Sequence, residues 1–123
     1  MVRPKHMPPE HEQIHHPRWQ LNEAIHQPVR LSLFALLAQS QKVDFAFLRD
    51  HLELGDSNLS RHLAALEELG YIVIEKVFEK KRARTWVSLS SEGRKAFEEY
   101  VRVLHQVVEH PLDRVDEKNE GTP

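Results

Sequence analysis

From Trp19 onward, apolar residues recur at helical spacing. Leu21, Ala24 and Ile25 stand three and four positions apart, as on one face of a helix. Pro28 interrupts the run. Proline is tolerated in a first turn, so Gln27-Pro28 is expected to close one helix and open the next. In VRLSLFALLAQ, Val29, Leu33, Leu36 and Leu37 share a face that Leu31 and Phe34 widen, which predicts a helix central to the core. After a break at Ser40, Gln41 and Lys42, Val43 is a candidate for a brief strand. Asp44 is placed to cap a short helix through Leu52, with Phe45, Leu48 and Leu52 inward. Leu54-Gly55 is the expected turn, and Gly55 or Asp56 caps a helix reaching Leu69. Gly70 follows as the glycine that ends it.

Beyond Gly70 the period changes. YIVIEKVF, from Tyr71 to Phe78, is rich in β-branched and aromatic residues. From Arg84 to Leu89 the pattern alternates, with Thr85, Val87 and Leu89 on one side and Arg84, Trp86 and Ser88 on the other. Two such runs around a charged turn predict an antiparallel hairpin. Ser90 caps a last helix with Glu92 in its first turn, and Ala96, Phe97, Tyr100, Val101, Leu104, Val107 and Val108 give that helix a broad apolar face. The order is four helices, two strands and a helix: an α+β, mostly helical fold with one two-stranded β-hairpin. Residues 1–18 are rich in Pro and His without apolar periodicity and are expected to form a flexible arm. Residues 19–110 are the expected domain, and residues 111–123 an acidic flexible tail.

Two stretches carry candidate chemistry. With Leu59 at the centre of the buried face of the fourth helix, Leu63 and Leu66 lie within about one-ninth of a turn of it. Ser57, Ser60 and Arg61 then fall on the opposite face with Ala64 and Glu68, and Asn58 at its margin. Small hydrogen-bonding residues let a helix approach base edges or phosphates, and Arg can bridge a guanine edge with two hydrogen bonds. His62 is placed at the edge of the core face. The second stretch is the hairpin tip, where Lys80, Lys81, Arg82 and Arg84 stand without an acid among them. Four cations in five positions suit phosphate contact, or entry into a narrow minor groove. Trp86 is read as packing the hairpin onto the body.

The chain has 123 residues, 40% of them hydrophobic, and a net charge of −2. The size suits one core, and no apolar run approaches the ~20 residues that span a membrane. The near-neutral sum conceals segregation, because Glu109, Asp113, Asp116, Glu117 and Glu120 outweigh Arg114 and Lys118 toward the C-terminus. The absence of cysteine removes disulfides, thiolate metal sites and cysteine nucleophiles, and suits a cytoplasmic setting. His6, His11, His15 and His16 lack a fixed scaffold, so no metal site is assigned. No Ser/His/Asp set, paired carboxylates or Gly-rich phosphate loop stands in a catalytic context, so neither catalytic residues nor a cofactor is expected.

The segments HQPVRLSLFALL, VDFAFLRDHLELGDSNLSRHLAALEELGYI and RARTWVSLSSEGRKAF give Leu21–Leu104 a resemblance to the winged helix-turn-helix regulators of the ArsR/MarR type. The resemblance implies a homodimer that binds a pseudo-palindromic operator in double-stranded DNA and represses transcription. Ser57–Arg61 matches the start of the recognition helix, Lys80–Arg84 the wing, and Ser90-Ser91-Glu92-Gly93 the turn into the last helix. Two departures stand out: the cysteine metal-sensing motif is missing, and the chain is short, which leaves a small-molecule effector open. A single recognition helix covers only a few base pairs, so two copies are expected to act together. Trp19, Leu21, Ile25, Val101, Leu104 and Val108 are the expected dimer contacts, with the last helix as the pairing element. The alternative is a winged-helix docking module for other proteins that does not bind specific DNA.

Overall fold

The computed structural model describes residues 16–111. Most of the expected arm and tail lies outside these residues. The described elements are a single 3-10 turn, Pro17–Gln20, followed by α1 (Pro28–Ala38), β1 (Val43–Asp44), α2 (Phe45–His51), α3 (Asp56–Glu68), β2 (Ile72–Glu79), β3 (Arg82–Leu89) and α4 (Ser91–Val108). The chain divides into two compact units, one of Asn22–Tyr100 and one of the residues up to Leu21 and from Val101 on. Among the described residues, no helix is long and apolar enough to cross a membrane.

One expected helix is absent. Leu21, Ala24 and Ile25 have helical spacing, yet the backbone between the 3-10 turn and α1 makes only an isolated turn. Asn22 causes it: its side-chain oxygen accepts from the Ala24 amide at 2.9 Å, and its carbonyl accepts from the Ile25 and His26 amides. Such local side-chain bonds compete with helix formation. Gln27 is extended, with φ −154° and ψ 150°, because Pro28 disfavours the helical region in the residue before it. Pro28 itself sits in the first turn of α1, as expected.

The hairpin gains a third strand. β1 pairs antiparallel with β3 through Val43↔Val87 and Asp44↔Trp86, giving the sheet order β1-β3-β2. Alternation holds on β3: Val87 and Leu89 face inward, and Ile72 and Ile74 of β2 stand opposite them. The core of the larger unit is built from Leu33, Phe34 and Leu37 of α1, Leu48 of α2, and Leu59, Leu63 and Leu66 of α3. Phe34 stacks on Phe97 at 5.7 Å between centroids and meets the edge of Tyr71 at 6.0 Å.

The ends of α3, β2, β3 and α4 meet at one junction. Gly70, with φ +82°, follows α3 in the left-handed region. The Gly70 amide donates to the Glu67 carbonyl at 2.9 Å and the Tyr71 amide to the Leu66 carbonyl at 3.0 Å. This pair of bonds closes a helix on a left-handed residue, a conformation that glycine adopts at least cost. Ser90 comes from the far end of the hairpin. Its hydroxyl donates to the Gly70 carbonyl and accepts from the Gly93 amide at 2.9 Å, capping α4. The Ser90 amide donates to the Tyr71 carbonyl at 3.0 Å. Gly93 is buried so closely against Tyr71 that a β-carbon there would overlap the Tyr71 carbonyl oxygen.

The two glycines therefore differ in what they protect. Gly93→Ala is expected to cost about 3 kcal/mol, because backbone must move to admit the methyl group. Gly70→Ala, where space is open but φ is positive, is expected to cost about 1 kcal/mol. Urea unfolding of the two variants checks the order; equal losses would remove the steric argument for Gly93.

Candidate nucleic-acid interface

The α2–turn–α3 unit is held by two devices. α2 ends as α3 does: the Glu53 amide donates to the Asp50 carbonyl at 3.2 Å and the Leu54 amide to the Arg49 carbonyl at 3.0 Å. The residue in the left-handed region is Glu53, φ 57°, where glycine would cost less. Gly55 is then the N-cap of α3. The Arg49 guanidinium spans the turn, with Nε 2.9 Å from Asp50 Oδ1 and Nη1 3.1 Å from Asp56 Oδ1. The hydrogen bond from Arg49 holds the Asp50 carboxyl below its usual range. Asp56 occupies the first turn of α3, and Arg49 offsets its negative charge at the end where a phosphate would approach.

On α3, Leu59, Leu63 and Leu66 are buried, while Ser57, Ser60 and Arg61 are exposed and Asn58 is half-buried. This is the face division that the spacing predicts. Arg61 Nη2 lies 3.5 Å from Asn58 Oδ1, so the two form a loose pair one turn apart. Glu67 and Glu68 are exposed at the opposite end of the helix. His62 is a boundary residue: its Nδ1 accepts from Arg30 Nε at 3.1 Å, and Arg30 Nη1 also donates to the Ala24 carbonyl at 3.3 Å. Arg30 thus links α1 to α3 through a neutral imidazole. Burial, then the charges of Arg30 and Arg61, hold the His62 pKa below its ordinary value.

At the hairpin tip, Glu79 pairs with Arg82 and leaves Lys80-Lys81 as a two-residue turn. Both lysines have positive φ, 50° and 65°. Such turns favour Asn-Gly, because both central residues must enter the left-handed region. Two lysines hold it instead, at a conformational cost. Lys80, Lys81 and Arg82 are exposed. Arg84 borders the same surface as Glu79, Lys80 and Arg82 but is half-buried. Its Nε is 3.8 Å from Asp44 Oδ1, its Nη1 is 3.8 Å from Glu79 Oε1, and its guanidinium lies 5.0 Å over the Trp86 ring. Asp44 begins α2 but makes no side-chain cap bond; its carboxylate turns to the hairpin. Trp86 stands across from Asp44, on the face of β3 opposite Val87, and carries Lys42 Nζ at 4.5 Å as well. It is a platform for two cations.

The helix and the hairpin border one open groove of about 650 Å³. Ser60, Ala64 and Glu67 line its α3 side and Ile74, Lys76 and Thr85 its sheet side. One side of α3, marked by Ser60, Ala64 and Glu67, and one face of the hairpin therefore border the same space.

Of the expected dimer contacts, Trp19, Leu21, Val101 and Leu104 are half-buried and Val108 is 74% exposed. Ile25 departs from the expectation. It is 0% exposed within the protomer, because the turn built on Asn22 points it inward, and it has no surface to offer a second copy. Among the described residues, no group of three or more His, Asp or Glu is placed to hold a metal; His6, His11 and His15 lie outside them.

A profile of the winged helix DNA-binding domain matches residues 29–108. An uncharacterized protein of Methanocaldococcus jannaschii, MJ0432, is 35% identical over 79 residues, which are 64% of this chain and 86% of that protein. A transcriptional regulator homologue from Pyrococcus horikoshii OT3 superposes with a TM-score of 0.70 at 26% identity, over 76% of this chain and 92% of its own. HlyU from Vibrio cholerae superposes with a TM-score of 0.51 at 27% identity, over 66% of this chain and 84% of its own.

The depressed pKa of His62 gives a signed pH dependence. Between that value and the ordinary 6.5, the folded chain binds fewer protons at this site than the unfolded chain. The stabilisation is thus complete above pH 6.5 and declines as pH falls toward the depressed value. His62→Asn removes the titration, so the stability gap between wild type and variant is expected to narrow on acidification from about pH 7.5 to about pH 5.5. Thermal unfolding of both proteins at the two pH values checks it.

Proposed function

The chain belongs to the winged helix DNA-binding domain family, and from that membership we propose that it is a sequence-specific, double-stranded DNA-binding transcriptional regulator. It acts as a homodimer and represses by occupying a pseudo-palindromic operator. The observation that supports this reading is the shared groove: Ser60 of α3 lines one space with Ile74, Lys76 and Thr85 of the hairpin whose turn carries the exposed Lys80, Lys81 and Arg82.

In this reading α3 enters the major groove. Ser57, Asn58 and Ser60 bond to phosphates or base edges, and Arg61 reads a guanine. The hairpin contacts the flanking backbone or minor groove. From Lys76 at the groove to the Lys80-Lys81 turn is four to five residues, about 13–17 Å of strand. That length matches the ~12 Å width of a major groove, so the tip reaches the next phosphate row. Arg84, drawn to Asp44, Glu79 and Trp86, aims the hairpin. The left-handed lysines support a role for the tip, since backbone cost at an exposed turn persists where its side chains are needed.

Pairing uses Trp19, Leu21, Val101, Leu104 and Val108. The support is their common unit and the exposure of Val108, which continues the Val101–Leu104 stripe at helical spacing. A sedimentation run is expected to give twice the chain mass at micromolar concentration; a monomer there removes the pairing surface from the reading.

Arg61→Ala is expected to cost about 1–3 kcal/mol of specific binding and relax preference at one position per half-site. Lys81→Ala with Arg82→Ala is expected to weaken binding to every duplex and lower the salt slope by about 0.9 per phosphate lost. Duplexes selected from a random pool, titrated at several salt concentrations, check both. Should duplex DNA fail to bind even at low salt, the docking-module reading takes over.

A further inference from the structure

Phe78 is the most exposed large apolar residue described, at 75%, and it stands two residues before the cationic turn. Its cross-strand partner is Ala83, which is too small to cover a phenyl ring. Cross-strand partners project from the same face of a sheet, and so do residues two apart along a strand. Phe78 and Ala83 therefore continue the row that begins with Ile72↔Leu89 and Ile74↔Val87 in the core and passes through Lys76↔Thr85. Ile74, Lys76 and Thr85 line the groove beside α3. The ring is thus presented on the side of the hairpin that faces this groove, beyond Lys76. A lone exposed phenylalanine weakens neither solubility nor folding, but here the exposed Lys80 and Lys81 follow it in the turn and Lys76 precedes it on the same row. Those cations would draw a polyanion, and the polyanion's own apolar surface is what the ring could cover.

We propose that Phe78 is an apolar contact of the hairpin with DNA, packing on deoxyribose faces or wedging at a base step of the minor groove that flanks the recognised major groove. The occupant is duplex DNA, and the inference rests on the DNA-binding reading above. Charge complementarity selects it: Lys76 lies on the same row as the ring, and the exposed Lys80 and Lys81 follow it in the turn, while minor-groove walls are sugars with a strongly negative floor. Phosphate attraction brings the tip in, and the ring supplies a contact that does not depend on counterions. An aromatic wedge also favours flexible pyrimidine–purine steps. Phe78 would then contribute sequence preference outside the bases that α3 reads.

The test separates an apolar contact from an ionic one by its salt dependence. The probe is the duplex that the wild-type chain selects from a random pool, with flanks extending beyond both half-sites. Phe78→Ala is expected to lower affinity about tenfold at every salt concentration, leaving the salt slope unchanged. Lys81→Ala, by contrast, lowers the slope. Phe78→Tyr keeps the ring and is expected to keep most of the affinity. On a duplex trimmed to the half-sites, wild type and Phe78→Ala are expected to bind equally. Unchanged affinity of Phe78→Ala on the long duplex overturns the proposal while the DNA-binding reading stands. So does a loss that persists on the trimmed duplex or alters the salt slope. If the wild-type chain selects no duplex, the reading itself fails and the inference falls with it. A third arm uses vesicles of phosphatidylcholine with phosphatidylserine. Ring-dependent binding there, with DNA affinity unaffected, would assign Phe78 to a lipid surface instead.

Discussion

The contact between Gly93 and the Tyr71 carbonyl holds the remainder of the architecture in place. It joins the start of α4 to the segment linking α3 to β2, and it leaves no room for a β-carbon. Ser90 completes the junction by bonding to Gly70, Tyr71 and Gly93 together. Because the chain leaves α3 at Gly70 and returns from the hairpin at Ser90, this one point sets where both begin. A recognition helix and a wing can act on one duplex only if their separation is fixed. Here it is fixed by backbone hydrogen bonds and steric exclusion, away from the surface that would meet DNA. Glycine at Gly93 is therefore an architectural requirement, and at Gly70 a conformational one.

The interface itself shows the opposite economy. Positive φ at non-glycine residues occurs at Glu53, Lys80 and Lys81 among the described residues: one in the turn before α3, two at the hairpin tip. Departures from local preference gather where a side chain matters more than backbone ease. Charge is arranged with the same selectivity. Arg49 is absorbed by Asp50 and Asp56, and Arg84 stands between Asp44 and Glu79. These cations orient α3 and the hairpin, leaving Arg61, Lys80, Lys81 and Arg82 exposed. A net charge of −2 for the chain limits the long-range attraction to nucleic acid, and the exposed cations of α3 and the tip stand among Asp56, Glu67 and Glu79.

Much of this was legible in the order of residues. The heptad-like leucines of α3, the Gly70 stop, the alternation on β3 and the Ser90 cap all rest on interactions within a few positions, where spacing is sufficient information. The segment from Leu21 to Ile25 misled for the same reason. Its spacing is helical, but the side chain of Asn22 and the restriction that Pro28 places on Gln27 decide the backbone. Ile25 then turns inward, where the stripe had placed it on a pairing surface. Two adjacent lysines gave no sign of a left-handed turn, since that turn is set by the pairing of Glu79 with Arg82 across it.

The sequence alone determined which elements form, which face of each is apolar, and that a polar helix face and a cationic tip are present. Those properties follow from the periods of helix and strand and from the limits on glycine and proline. Only the tertiary structure decided which charges remain available. Arg84 reads as one of four tip cations until Asp44, forty positions earlier, is brought beside it by the β1–β3 pairing. Phe78 reads only as the end of a strand-forming run until its partner proves to be Ala83 and its ring exposed. Both outcomes depend on register and on contacts between distant segments, for which a linear pattern carries no distance information.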